Sequence, residues 1–478
     1  MSLKKLFTIL ILIILGFPVI ASASVEFNYI LDERHNRIPI PVAYQFYKSI
    51  DYLGPEFGDF RNPKDIFIGH TGNLYVVDTG NDRIIKLMSD GTVLGSFTGS
   101  DDSPLDSPEG IFVDSYGNMF IADTGNRRIV HLSRDGEFIE EFTKPTDDLF
   151  DATYDFRPTK LYIGHNNMIY MLNKDSYHGI VILDAYNRFH GYLSPVHIGF
   201  SLRDLLIRIF ATEAQKEQLA RRLPPAHSNL TITEDGMIYT TTLRATHEQI
   251  RRLTIRGRNV FDRRFFGERF NEQGEFVEPA FVDLTVDENG IISALDAAHG
   301  KIYQYDSDGN LLAVFGGIGN WDGKFILPSS IEHDQKGNIF VIDEIRNNLQ
   351  IFAPTRFMNT VHHALRLYHD GKYEQAVEPW ETVLKMAPNY IVAHKGMGEA
   401  YMKQGQWELA MASFEAAEYQ EGYSRAFSEY RHYIFREFFG WVMLMVIAIL
   451  YLIVRLVGIV LRKGRKYINN TKTWEGAY

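Results

Sequence analysis

Five prolines, Pro63, Pro108, Pro158, Pro279 and Pro328, each precede a short apolar run, so the residues after them recur at comparable places. Those residues read Lys64-Asp65, Glu109-Gly110, Thr159-Lys160, Ala280-Phe281 and Ser329-Ser330. A calcium site needs several converging oxygen ligands, and a zinc site needs converging nitrogen or sulfur ligands. This set offers two acids, Asp65 and Glu109, against Lys64 and Lys160, with Phe281 apolar. Neither three carboxylates nor three imidazoles emerge. Asp65, Glu109 and Lys160 are therefore candidate binding residues, with no catalytic residue and no cofactor assigned. The chain has no cysteine, which excludes thiolate catalysis and cysteine-ligated zinc, and its 16 histidines are scattered.

A second chemical feature is a run of arginines: Arg251, Arg252, Arg256, Arg258, Arg263, Arg264 and Arg269, against Asp262 and Glu268. A local excess of positive charge within a chain of net charge −11 is a candidate site for an anionic partner, such as a phosphate-rich envelope polymer or lipid headgroups. The bland reading, alternating solvated faces of outer strands, is the favoured one. The overall negative charge argues against a nucleic-acid partner.

These residues need a scaffold, and 478 residues with 45% hydrophobic and 23% charged content form more than one globular unit. Pro63 maps to Pro108, and Asp78 to Asp123, at a spacing of 45 residues. Within each unit, apolar runs are broken by turn signals such as Gly72-Asn73, Gly80-Asn81 and Asp90-Gly91, which predicts four strands. Weaker copies follow around Pro158, Asp235-Gly236, Asn289-Gly290 and Gly337-Asn338, making six units. The sixth stops after three strands, and Tyr44–Ile50 is a spare strand ahead of the first. Closure of the last blade by this strand removes two exposed edges, so the expected fold is an all-β six-bladed propeller over 24–353.

Asp78-Thr-Gly-Asn-Asp-Arg-Ile84 and Asp123-Thr-Gly-Asn-Arg-Arg-Ile129 resemble the NHL repeat signature. In this turn, Gly80 and Gly125 are expected to supply positive φ. Arg83 and Arg128 are expected to reach carboxylates of neighbouring blades. Some related propellers are enzymes: gluconolactonases hold axial calcium through Glu, Asn and Asp, and others are zinc-dependent lyases with histidine ligands. The resemblance thus implies an alternative function, a metal-dependent hydrolase or lyase of the gluconolactonase-like type, with Ca2+ required only in that case. Between the third and fourth units, 194–228 is an insertion in which 201–223 reads as a helix, either a lid or docking ridge over the ligand face or a filler of the channel mouth.

Beyond the propeller the periodicity becomes helical. Ala364 and Gly398, Leu367 and Tyr401, Ala376 and Ala410, and Trp380 and Phe414 are all 34 residues apart. This resembles two tetratricopeptide repeats, completed by a capping helix within 354–436, and implies protein binding. Residues 438–461 form an apolar stretch of about 24 residues, long enough for a ~30 Å hydrocarbon core. Arg462, Lys463, Arg465 and Lys466 follow it and orient the tail 462–478 to the cytoplasm. At the other end, a charged start, the apolar run Leu6 to Phe17 and Ala21-Ser22-Ala23 describe a signal peptide over 1–23. The expected protein is a single-pass bacterial cell-membrane protein with its domains outside. It would act as a binding or scaffold protein for membrane or envelope proteins, a glycan or an anionic polymer, accessory to a transporter or envelope complex.

Overall fold

A computed structural model of the chain describes residues 27–472, apart from Glu33, Ala152, 196–224 and 262–264. The expected signal peptide, the expected helix 201–223, and Arg263 and Arg264 lie outside the described residues. The chain divides into two compact units, Met1–Thr355 and Arg356–Tyr478.

The first unit is a six-bladed β-propeller. Asp65–Ile68, Leu74–Asp78, Arg83–Leu87 and Val93–Phe97 form the first blade as an antiparallel meander. The second blade, from Gly110–Val113 to Phe138–Phe142, and the third, from Pro158–Ile163 to Phe189–Leu193, repeat the pattern. The fourth has three strands among the described residues: Ala226–Ile232, Ile238–Leu243 and Ile250–Leu253. The sixth is closed by the N-terminal strand Tyr44–Ile50, which pairs antiparallel with Asn348–Pro354, Ile50 opposite Leu349 and Tyr44 opposite Pro354. Ile50 and Leu349 are buried together with Val76 and Ile85 of the first blade, so closure also joins the first blade to the last.

The fifth blade is wider than the four strands expected. Asn28–Leu31 and Arg37–Ile40 form a hairpin that extends the fifth blade to six strands, with Tyr29 opposite Val314 of Leu311–Gly316. The hairpin covers an outer edge that would otherwise present unpaired backbone groups.

The repeat motif works differently from expectation. Arg83 and Arg128 do not bridge blades: each pairs with the aspartate of its own turn, Asp78 or Asp123, at 2.7 Å. Each aspartate also accepts a backbone N–H from the incoming connection, Arg61 to Asp78 at 2.7 Å and Asp106 to Asp123 at 2.8 Å. The links between blades come from the threonines instead. Thr79 donates to the Pro108 carbonyl at 2.7 Å and Thr124 to that of Pro158 at 2.6 Å. The glycines serve close approach rather than positive φ, since a Cβ on Gly80 would stand 2.7 Å from the Arg61 carbonyl oxygen. Left-handed backbone falls two residues later, at Asp82 (φ 51°) and Arg127 (φ 58°). In the third blade Asn173 keeps the acceptor role, taking the Arg157 N–H.

Among the described residues the second unit contains five helices, Arg356–His369, Tyr373–Met386, Ile391–Lys403, Trp407–Ala416 and the 53-residue Gln420–Lys472. Small residues stand where helices touch: a Cβ on Gly398 would come within 2.5 Å of the Phe414 ring. Trp380, Phe414, Ala364, Ala376 and Ala410 are fully buried. The last helix is the only one among the described residues long and apolar enough to cross a membrane, by length and composition.

Asp78 is fully buried and holds a guanidinium, an amide and a backbone N–H. Asp78→Ala removes the acceptor of all three and leaves the Arg61 N–H and Arg83 Nε stranded, and a loss of about 3 kcal/mol is expected in chemical unfolding followed by circular dichroism. Asp78→Asn, which keeps one acceptor oxygen, is expected to lose less.

Candidate functional site at the propeller axis

The register of each first strand on its second defines an equivalent position in all six blades. It is occupied by Asp65, Gly110, Lys160, Asn229, Asp283 and Ser330, paired with Val77, Ala122, Leu172, Thr241, Leu295 and Ile342. Four of these six side chains meet. Lys160 Nζ lies 2.5 Å from Asp65 Oδ1 and 3.4 Å from Asp283 Oδ2. Ser330 donates to one or the other, with Oγ at 2.9 Å from Asp65 and 2.5 Å from Asp283. The remaining carboxylate lone pairs take backbone N–H groups, Ile111 on Asp65 at 3.0 Å, and Leu284 at 2.8 Å and Ile331 at 2.9 Å on Asp283. Gly110 leaves room by necessity: a Cβ there would sit 2.1 Å from the Thr159 carbonyl oxygen.

Of the three residues expected at the channel mouth, the structure unites Asp65 with Lys160 and places Glu109 elsewhere. Glu109 bridges Lys64 at 2.8 Å and Lys174 at 2.7 Å. Burial pushes its carboxyl up, but Lys174 and Lys64 outweigh this and hold it below the ordinary range. Ser330, which follows Pro328, completes the cluster together with Asp283, which lies two residues beyond Phe281. Pro279 is not the fifth blade's register proline: Phe281 faces Asp296 just as Pro158 faces Asn173 and Pro328 faces Asp343. Counting back seven residues from the positive-φ turn residue between the first two strands finds the whole ring. Those turn residues are Gly72, Gly117, Asn167, Gly236, Gly290 and Gly337.

Two residues further along each strand, side chains return to the same face, here Phe67, Phe112, Tyr162, Thr231, Thr285 and Glu332. One half is aromatic, with Phe112 5.3 Å from Phe67 and 4.6 Å from Tyr162. The other half is polar. Thr285 Oγ1 lies 2.9 Å from Glu332 Oε2 and 2.7 Å from His333 Nδ1.

Electrostatics separates the two layers. Burial alone would lower the Lys160 ammonium, but Asp283 and Asp65 win and raise its pKa, so it stays charged. Burial raises the Asp283 carboxyl despite Lys160, with Asp65 adding to the rise. Glu332 pairs with no lysine or arginine among the described residues, and burial, with smaller contributions from Asp283 and Asp65, pushes it up to about 8. Burial lowers the His333 imidazole. A charged lysine is a poor nucleophile, whereas a carboxyl titrating near 8 can exchange a proton at neutral pH. No group of three or more His, Asp or Glu among the described residues is placed to hold a metal ion.

The arginine run is divided between several surroundings. Arg251 donates to Ser194 at 3.3 Å and pairs with Glu248 at 3.4 Å, and burial lowers its pKa. Arg252 turns the other way, towards Asp235 at 3.7 Å and the Ser307 carbonyl at 3.4 Å. Alternation along one strand enforces this split. Arg256 and Arg258 are exposed on the following turn.

No family model matches the chain, and no curated protein sequence matches it. Among solved structures it is similar to a virginiamycin B lyase from Staphylococcus aureus, at 14% identity and a TM-score of 0.38 over 68% of this chain and 87% of that one. A gluconolactonase from Xanthomonas campestris is similar at 15% identity and a TM-score of 0.39, over 69% and 95% of the two chains. A protein of unknown function from Bacteroides thetaiotaomicron gives 12% identity and a TM-score of 0.44, over 68% and 90%. The class is that of six-bladed propellers carrying a C-terminal helical segment with one long apolar helix.

Two variants test the axial layers. Lys160→Met leaves Asp65 and Asp283 facing each other without a counter-ion, and a loss of about 3 to 5 kcal/mol is expected at pH 7. The loss should shrink near pH 4, where the carboxylates take up protons. For Glu332 the sign is opposite to that of an ion-paired acid. Its folded pKa lies above the ordinary 4.5, so the folded state holds a proton that the unfolded state releases. Its contribution is therefore present at low pH and lost between about 4.5 and 8. Glu332→Gln should flatten the pH dependence of stability across that window, and unfolding at pH 5, 7 and 9 measures it.

Proposed function

We propose that the chain is a membrane-anchored extracytoplasmic binding or scaffold protein. In this reading, an NHL-type propeller and two tetratricopeptide-type helix pairs stand outside the bacterial cell membrane. Residues 438–461 span it, and 462–478 lie in the cytoplasm. The domains engage membrane or envelope proteins, a glycan or an anionic polymer, as an accessory of a transporter or envelope complex. The observation that carries this reading is the self-sufficiency of the axial ring: Asp65, Lys160, Asp283 and Ser330 saturate one another. An ammonium stands between the carboxylates that a catalytic cation would need. The division of the arginine run also favours individual contacts over one broad anionic-polymer patch.

A second reading is a metal-dependent hydrolase or lyase. It draws on Glu332 and His333, an acid and an imidazole joined through Thr285 in the next axial layer. Calcium, in this reading, would have to compete with Lys160 for Asp65 and Asp283.

Photo-crosslinking from exposed propeller positions in intact cells tests the first reading, with capture of defined membrane proteins as the expected outcome. Resistance of the propeller to external protease in spheroplasts would overturn it. The second reading is checked by melting the purified full chain with Ca2+ and with chelator. A resident cation present at about 100 times its Kd would add roughly 2.7 kcal/mol, whereas the scaffold reading expects no change.

A further inference from the structure

Away from the axial ring, a cavity of about 840 Å3 opens where three distant segments meet. They are the hairpin 28–40, the turn between the second and third strands of the fourth blade, and the connection 265–271 into the fifth. His35, Arg37, His247, Phe265, Arg269 and Phe270 line it. Its size falls within the range of small-molecule sites.

One wall is a closed charge network. Glu268 Oε1 accepts Arg37 Nε at 2.8 Å, while its Oε2 accepts the Tyr303 hydroxyl at 3.1 Å, Lys301 Nζ at 3.3 Å and the Tyr29 hydroxyl. Glu272 takes Lys301 at 2.7 Å and Arg37 at 2.8 Å. Two acids thus meet two cations, and the network pins the hairpin to the fifth blade. The other acid on the wall, Glu248, pairs with Arg251.

The groups left over are basic. Arg269 holds its guanidinium 4.2 Å above the Phe265 ring and has no ion pair to a carboxylate among the described residues. The His35 ring meets Phe265 edge-on at 6.4 Å, and His247 is exposed at the rim. Stacking on an aromatic face leaves the in-plane N–H groups of a guanidinium available, and these suit a carboxylate or phosphate bidentately. Beside them, Phe270 is 55% exposed and offers an apolar ring face.

We infer that this cavity binds a small ring-bearing organic anion, of the size of an acidic monosaccharide. Its carboxylate or phosphate pairs with Arg269, and its ring packs on the exposed face of Phe270. The inference adds a ligand class to the binding reading above, but needs neither the membrane span nor a protein partner. A failed crosslinking experiment and a failed titration are therefore separate results.

Calorimetric titration of the detergent-solubilised full chain tests it with glucuronate, glucose 6-phosphate, inorganic phosphate and glucose. At least one of the two sugar anions should bind more than about tenfold tighter than glucose, and which one does so identifies carboxylate or phosphate as the preferred group. Arg269→Gln should weaken that binding about tenfold or more and Arg269→Lys less, with melting temperatures little changed because Arg269 makes no ion pair among the described residues and only stacks on Phe265. Phe270→Ala should weaken it several-fold, while Arg256→Gln, on an exposed turn outside the cavity, should not. Absence of binding by both sugar anions, equal binding of glucose, inorganic phosphate as tight as glucose 6-phosphate, or an unaffected Arg269→Gln protein would each overturn the inference.

Discussion

One ammonium answers two carboxylates at the centre of this propeller. Lys160 leaves the third blade, crosses the axis and meets Asp65 of the first and Asp283 of the fifth, while Ser330 of the sixth closes the gap. Each of those charges alone would be costly to bury, since desolvation exceeds what distant partners return. Together they fix four blades around a common point. The same arrangement limits the chemistry available there, because it uses up the acids and keeps the amine protonated.

The layer beside it follows different rules. Glu332 is also a buried carboxyl, yet its side-chain partner is the Thr285 hydroxyl, shared with His333, rather than a lysine or arginine among the described residues. It therefore keeps its proton to about 8, whereas Glu109, held by Lys64 and Lys174, is ionised far below that. Glu332 and Glu109 thus differ through the placement of two lysines, Lys64 and Lys174. Reactivity at the axis is a matter of counter-ions, and the fold itself is indifferent to it.

Much of this was readable beforehand. The 45-residue spacing, the spare strand at 44–50 and the 34-residue offset between Ala364 and Gly398 all have direct structural counterparts, because strand alternation and small-residue contacts impose periods on the chain. The axial site was only half readable. Asp65 and Lys160 follow a proline in register, but the fifth blade seats Phe281 in that place, and Asp283 was hidden behind the shift. The fixed distance to the positive-φ turn residue, glycine in five blades and Asn167 in the third, carries the information that the prolines lose. The hairpin 28–40 escaped because its strands are four residues each and its partner, Leu311–Gly316, is nearly 300 positions away. The motif arginines misled for a different reason: residue types specify an ion pair without specifying which aspartate, and the nearest one, five residues back, wins.

The strand 44–50 has a consequence in time as well as in space. During synthesis it is among the first parts of the ring to appear, yet its partner, 348–354, is among the last. Every blade between them must be made before the circle can lock. Until then the nascent chain carries two bare margins of matching register, and either could accept the complementary margin of another copy. Crowded translation would therefore favour swapped dimers, whereas slow, dilute synthesis would favour monomers.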